Sequence, residues 1–406
     1  MHTSGGKGHD SAYLDHAATT PLRPEALAAI TAELPHTGNA SSLHTAGRRA
    51  RRVVEESRES IAENLGVRPS DVVFTSGGTE SDNLAIKGMY WSRVAADPAL
   101  RTIVISSVEH HAVMDAAGWL ARHEGARVVE LPVDGYGRVE PAILRRVLAA
   151  LKGTVALVSV MWANNETGCV QLVDELAEIC ASEAVPMHCD AVQAIAWLPA
   201  PGTLPSVPDA MSVSGHKLGG PIGVGALVLT GAKVEALLHG GGQELDLRSG
   251  TLMTAQVAAM AAALRAAAEQ RPAAVPRLAA LRDELIERVL ELVPDAAVNG
   301  GALEQSLPVI AQMSFPGCEA DALLMLLDAA GVECSAGSAC ASGVPSPSHV
   351  LLAMGVDDAL ARGALRFSLG WNSTRHDVDA LIRELPQVVE RARRAGARQR
   401  TAVVNS

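Results

Sequence analysis

Aromatic residues are scarce, at 3% of 406 positions, so any core must be built chiefly from Ala, Val and Leu. Long apolar runs are also missing: the most continuous, residues 257–264, ends at Arg265, far short of the ~20 residues that span a bilayer. A membrane-embedded chain is not expected. Residues 1–10 are polar and glycine-rich and lack the apolar stretch of a secretory signal, so export is not expected and the cytoplasm is the default location. The six cysteines contain no Cys-x-x-Cys pair, which fits neither a disulfide scaffold nor a structural zinc site. Any cysteine set apart by its surroundings is therefore read as reactive. Positive charge is in deficit, 34 basic against 45 acidic side chains for a net charge of −11, which argues against nucleic acid and anionic membrane as partners. The 36 glycines and 21 prolines follow no fixed period, which excludes collagen-like and repeat architectures. What is present is a 48% apolar content in a chain long enough for two or more domains, which excludes global disorder.

From about residue 71, short β-branched runs alternate with longer helical stretches, the pattern of an α/β sheet. Strands are predicted over 72–74, 102–105, 126–131, 155–161, 185–188, 210–213 and 224–229. Most are apolar without alternation, as strands covered on both faces are. Helices are predicted over 48–65, 111–123, 141–151 and 172–182, and two Ala/Leu-rich helices follow at 254–270 and 276–292. The remainder reads as a smaller unit: strands at 309–315 and 365–369, helices at 319–330 and 349–354, and a final helix from Asp377. The boundary is placed within 270–276, dividing the chain into a large domain, 13–272, and a small C-terminal domain, 273–406, with residues 1–12 flexible or packed near the latter. Five arginines between Arg391 and Arg400 read as a solvated helix end that complements the macrodipole.

Three constellations could carry chemistry. Thr75-Ser-Gly-Gly-Thr-Glu-Ser-Asp-Asn83 follows an apolar strand and opens a helical pattern. Such a loop aims unpaired amides and hydroxyls at one point, where a phosphate gains hydrogen bonds and the helix dipole; an ordinary capped turn is the plain alternative. Met187-His-Cys-Asp190 ends a strand on a carboxylate at the edge of the sheet where ligands bind in open α/β folds. The plain alternative makes Asp190 a helix cap for the segment starting at Ala191. Joint metal ligation by His188, Cys189 and Asp190 is disfavoured because consecutive strand residues point to opposite faces, and no metal is expected. Ser212-Val-Ser-Gly-His-Lys-Leu-Gly-Gly220 sets Lys217 just past another strand, where a lysine is ordinarily a surface charge. Taken in order, the cradle, the carboxylate and the amine are what pyridoxal phosphate requires.

The sequence resembles the cysteine desulfurases of the class V aminotransferase family, the NifS/IscS-like branch and its actinobacterial members in particular. The likeness runs from Tyr13-Leu-Asp-His-Ala-Ala-Thr-Thr-Pro21 to Arg366-Phe-Ser-Leu-Gly370. Between them lie Gly38-Asn-Ala-Ser-Ser-Leu-His44, Val108-Glu-His-His111, Asn164-Asn-Glu-Thr-Gly168, Asp190-Ala-Val-Gln193, Ser214-Gly-His-Lys217, Arg248-Ser-Gly-Thr251 and Gly337-Ser-Ala-Cys340. The resemblance implies the fold type I of pyridoxal-phosphate-dependent transferases, with a mostly parallel seven-stranded sheet in the large domain and a smaller α/β domain.

It also implies roles. Lys217 would hold the cofactor and move the substrate Cα proton, and Asp190 would keep the pyridine nitrogen protonated. His110 would stack on the ring, with His111 about 100° round the helix and facing elsewhere. Asn165 and Gln193 would bond the ring oxygen; Gly78, Thr79, Ser214 and His216 would hold the phosphate, joined by Thr251 of a neighbouring subunit in a homodimer. Arg366 would clamp the substrate α-carboxylate, with Asn39 nearby. Cys340 would attack the substrate sulfur, releasing L-alanine and leaving a persulfide, from a loop of small polar residues. The spacing from Cys340 to Pro347-Ser-His-Val350 matches desulfurases that deliver sulfur to an iron–sulfur scaffold or a transfer-RNA thiolation enzyme. Ala40 stands where many relatives have proline, and Cys334 is read as structural. The alternatives within the family are a selenocysteine lyase or an aminotransferase; the alternative from another class is a sulfur-delivery platform with weak turnover.

Overall fold

Strands buried on both faces need an apolar side chain at every position, and β-branched runs supply this in the first half of the chain. A computed structural model describes residues 11–200, 207–301, 305–337 and 347–404. Its elements are β1 (Ala12–Tyr13), α1 (Pro24–Glu33), α2 (Thr45–Leu65), β2 (Val72–Thr75), α3 (Gly78–Ala96), β3 (Thr102–Ser106), α4 (His111–Glu124) and β4 (Arg127–Leu131). Then come α5 (Pro141–Ala150), β5 (Val155–Ser159), α6 (Val173–Ser182), β6 (Met187–Asp190), β7 (Ala210–Ser214), β8 (Gly225–Leu229) and α7 (Thr254–Leu292). The chain closes with β9 (Ala297–Asn299), β10 (Ile310–Ser314), α8 (Ala320–Ala329), β11 (Val332–Glu333), α9 (His349–Ala353), α10 (Asp358–Ala361), β12 (Ala364–Ser368) and α11 (Arg375–Val404).

The large sheet has seven strands in the order β2-β8-β7-β6-β5-β3-β4. β8 is antiparallel to both its neighbours, and the remaining pairs are parallel. The expected fold class therefore holds, with one reversed strand. Strand β6 begins at Met187 rather than at residue 185, because Pro186 has no amide to donate to the ladder. β5 stops at Ser159, two residues earlier than expected.

The two helices expected at 254–270 and 276–292 are one, α7, with Pro272 and Pro276 inside it. Residues 268–277 contain no buried position, whereas Ala255 to Ala267 and Leu278 to Val289 bury a face on either side. The carbonyls freed by the prolines, those of Ala268 and Pro272, thus lie where water can satisfy them. Beyond α7 a three-stranded antiparallel sheet, β12-β10-β9, forms a smaller unit, and β1 pairs in parallel with β11. The segment just ahead of residue 13 is thereby bound to the later part of the chain. No helix among the described residues is long and apolar enough to cross a membrane.

Candidate active site

The C-terminal ends of the parallel strands open onto a cavity of about 390 Å³, within the range usual for small-molecule sites. It is lined by Gly78, Thr79, His110, Asn165, Asp190, Gln193, Ser214, His216, Lys217 and Arg366. Ten of the residues singled out in the sequence thus meet in one place. Asn39 and Thr251 do not line it; both are exposed in the single chain. Cys340 lies outside the described residues.

One end of the cavity is built to hold an anion. Helix α3 starts at Gly78, and its N-cap Gly77 offers no side-chain cap, so the amides of the first turn are left open. A Cβ at Gly78 would come within 2.8 Å of Val192 Cγ2, so a larger residue there needs Val192 to shift. Ser214 Oγ is buried without a hydrogen-bond partner, a cost that a bound phosphate oxygen would remove. The turn is braced by Glu80, which accepts from Ser76 N at 2.7 Å and from Arg248 Nε at 2.8 Å. Burial works to raise the Glu80 pKa, but Arg248 and Ser76 outweigh it and hold the carboxyl below its usual value. Arg248 follows a turn in which Glu244, Leu245 and Asp246 have φ of 48°, 60° and 62°. Left-handed backbone costs about 1–2 kcal/mol per such residue. A bidentate pair from Arg58 to the buried Glu244, 2.7 and 2.8 Å, pins the turn, and Phe74 N donates to the same carboxylate at 2.7 Å.

Lys217 closes a short 3-10 turn after β7, and its ammonium donates to the carbonyls of Ala17 and Ala18, the latter at 2.7 Å. Burial and then the charge of Arg366 lower its pKa to about 8, against the opposing pull of Asp15 and Asp190. Asp190 ends β6 and accepts the Val192 amide at 2.9 Å. Burial pushes its carboxyl up, and that amide, His110 and Lys217 partly restore the anion. Gln193 Nε2 donates to Ala17 O at 2.7 Å. His216 Nδ1 lies 3.3 Å from Thr19 Oγ1, and burial takes its ring down to about 4.

His110 is the N-cap of α4, not a residue of the helix as the 100° argument assumed. Its Nδ1 accepts from Ala112 N at 3.1 Å, so the neutral ring carries its proton on Nε2. His111 packs against His349, with ring centroids 5.0 Å apart, so the two histidines are separated by capping geometry. Arg366, on β12, is 4% exposed and donates to Asn165 O and to Asp15 Oδ1, both at 2.8 Å. Its Nε is buried without a partner.

Sequence reasoning did not assign Asp15 or Asp82, although both sit inside motifs it quoted. It also missed Ser335 and Gly337 as part of the cavity wall. Gly337 has φ of +85°, and a Cβ there would lie 3.1 Å from Glu166 Oε2, so both backbone and space favour glycine. Cys334 is half-buried, and desolvation raises its thiol to about 12, which makes it a poor nucleophile.

An uncapped helix start, a strand-end carboxylate and a buried lysine around one cavity of a mostly parallel sheet define a pyridoxal-phosphate-dependent enzyme of fold type I. The chain belongs to the aminotransferase class-V family, whose match spans residues 12–381. It is 54% identical to the IscS-like cysteine desulfurase of Mycobacterium tuberculosis, covering 95% of this chain and 98% of that one. It is 44% identical to a cysteine desulfurase of Cereibacter sphaeroides, over 94% of this chain and 96% of the other. Among solved structures, a NifS-like protein superposes with a TM-score of 0.85 at 33% identity, covering 94% of this chain and 99% of that one.

Proposed function

We propose that the chain is a pyridoxal-phosphate-dependent cysteine desulfurase, converting L-cysteine to L-alanine and passing the sulfur to an acceptor through a persulfide on Cys340. The observation that carries the reading is the gathering of Lys217, Asp190, the partnerless Ser214 hydroxyl and Arg366 around one cavity. Bound there, pyridoxal phosphate supplies an electron-withdrawing ring that stabilises negative charge at the substrate Cα.

This chain's residues do the rest. The open amides at Gly78 and Thr79, with Ser214 and His216, hold the phosphate, and Thr251 of a second copy completes that site in a homodimer. Asp190 would pair with the ring nitrogen, Asn165 and Gln193 would hold the ring oxygen, and His110 would border the ring. Lys217 moves the proton at the substrate Cα; an amine with a pKa of about 8 is poised to do so near neutral pH. Asp15 and the Asn165 carbonyl each take one guanidinium N–H of Arg366, which fixes its plane and leaves three donors for the substrate carboxylate. Asn39 borders the substrate.

Cys340 thiolate attacks the substrate sulfur: an S–S bond forms, the C–S bond breaks, and L-cysteine plus enzyme thiol becomes L-alanine plus enzyme persulfide. The acceptors are an iron–sulfur scaffold protein or a transfer-RNA thiolation enzyme, in a reducing cytoplasm. We divide the chain at 272/273, within the water-exposed middle of α7, into the large and small domains.

Mass spectrometry of the yellow enzyme after incubation with L-cysteine tests the assignment. One added sulfur is expected on the Cys340 peptide. Cys340→Ala should keep the colour and lose both the added sulfur and alanine release; full turnover in that variant would refute the assignment.

A further inference from the structure

From Asp82 in the cavity wall, a buried polar chain that the mechanism above does not use runs back into the sheet. Asp82, on α3, is 1% exposed and Asp190 is 6% exposed. Their nearest carboxylate oxygens, and a ring nitrogen of His110, lie within 4.8 Å of one another. Two carboxylates so close and so dry cannot both stay ionised, so the pair shares a proton.

The surroundings decide which one carries it. Asp190 has a backbone amide at 2.9 Å and faces Lys217 and His110, all of which favour its anion. Asp82 Oδ1 is buried with no hydrogen-bond partner, which is far costlier for an anion than for a neutral acid. Burial and then the Asp190 charge raise the Asp82 pKa well above the carboxylate range. The other titratable groups around the pair are Glu109, which is fully buried and raised to about 8 by that burial, the buried Cys189 thiol, pushed up by its own burial, and His188, whose Nε2 lies 3.6 Å from Asp82 Oδ1.

His188 belongs to a relay across three adjacent strands. Its Nδ1 is 2.9 Å from Ser159 Oγ on β5, and its Nε2 is 3.0 Å from Ser212 Oγ on β7. The Ser212 hydroxyl in turn bonds Asp82. Burial takes the His188 ring down to about 3, so it stays neutral with a single N–H. Beside an Asp82 anion, Ser159 would donate to His188 Nδ1, His188 Nε2–H to Ser212, and Ser212 to the carboxylate. Beside a neutral Asp82 every bond reverses: the acid donates to Ser212, Ser212 to His188 Nε2, and His188 Nδ1–H to Ser159. Both directions keep every bond of the relay, so the acid form of Asp82 loses no hydrogen bond.

We propose that Asp82 is a positioning residue that carries the proton shared by the two buried carboxyls, with Ser212, His188 and Ser159 taking up its hydrogen bond, and so keeps Asp190 ionised for the cofactor's ring nitrogen. The last clause rests on the cofactor assignment; the protonation itself does not.

The test is an infrared difference spectrum, wild type minus Asp82→Asn, recorded at neutral pH with and without cofactor, alongside a pH titration of the visible band of the loaded enzyme. An acid carbonyl stretch should be lost in the variant. The amide copies a neutral acid, so the visible midpoint should stay within about 0.5 of a pH unit of wild type. No lost acid stretch, or a larger midpoint shift, overturns the proposal. Should Asp82→Asn not accumulate, Ser212→Ala substitutes: losing the acceptor should move the Asp82 stretch to higher frequency, and an unmoved band overturns the proposal. A protein that never turns yellow would refute the cofactor assignment and leave the infrared result on cofactor-free protein standing.

Discussion

Replacing Arg366 by Gln removes a positive charge that faces Lys217, and the amine should gain protons as a result. The ordinary lysine pKa of 10.5 falls to about 8 in the folded chain, through burial first and Arg366 second. At neutral pH that makes about one amine in ten uncharged, against about one in three thousand for an unperturbed lysine, a roughly 300-fold gain in the reactive form. The rate at which cofactor-free enzyme turns yellow on mixing with pyridoxal phosphate should therefore rise with pH through a midpoint near 8. The signs of two variants are opposite. Arg366→Gln deletes a charge that lowers the pKa, so its midpoint moves up; Asp15→Asn deletes one that raises it, so its midpoint moves down. A wild-type midpoint near 10, or both variants shifting the same way, would refute the electrostatic account of Lys217.

Two further outcomes follow from packing and hydrogen bonding. Arg58→Met strands the Glu244 carboxylate, whose side chain is 1% exposed, and should lower stability in chemical denaturation by about 3–5 kcal/mol. Adding Glu244→Gln should recover part of that loss, and a single-variant loss under about 1 kcal/mol would show the pair to be unimportant. Ser214→Ala removes a donor from the anion end and should raise the cofactor dissociation constant about 5- to 30-fold, measured by fluorescence titration; unchanged retention would exclude Ser214 from the phosphate site.

Much of the fold was legible because two-sided burial leaves its mark residue by residue: β3, β5 and β7 are buried at every position. The reversal of β8 was not, because an apolar run carries no direction. Strands of two residues, such as β1 and β11, are too short to show a period. The prolines of α7 misled because breakers are read from local chemistry, whereas their cost depends on whether water reaches the freed carbonyls. In the site, Asp190 and Lys217 could be found because strand ends in α/β sheets face the ligand crevice. Asp15 and Asp82 stood in the same quoted motifs without a role, since each depends on a distant partner: Arg366, 351 residues from Asp15, and Asp190.

That last separation has a consequence for how the protein is made. Asp15 and its neighbours are synthesised well before their partners on β11 and β12. The pocket therefore stays open through most of synthesis: the large sheet can form early, but β1 must wait undocked until β11 and β12 emerge. Cofactor capture by nascent chains should accordingly wait until β12 has left the ribosome.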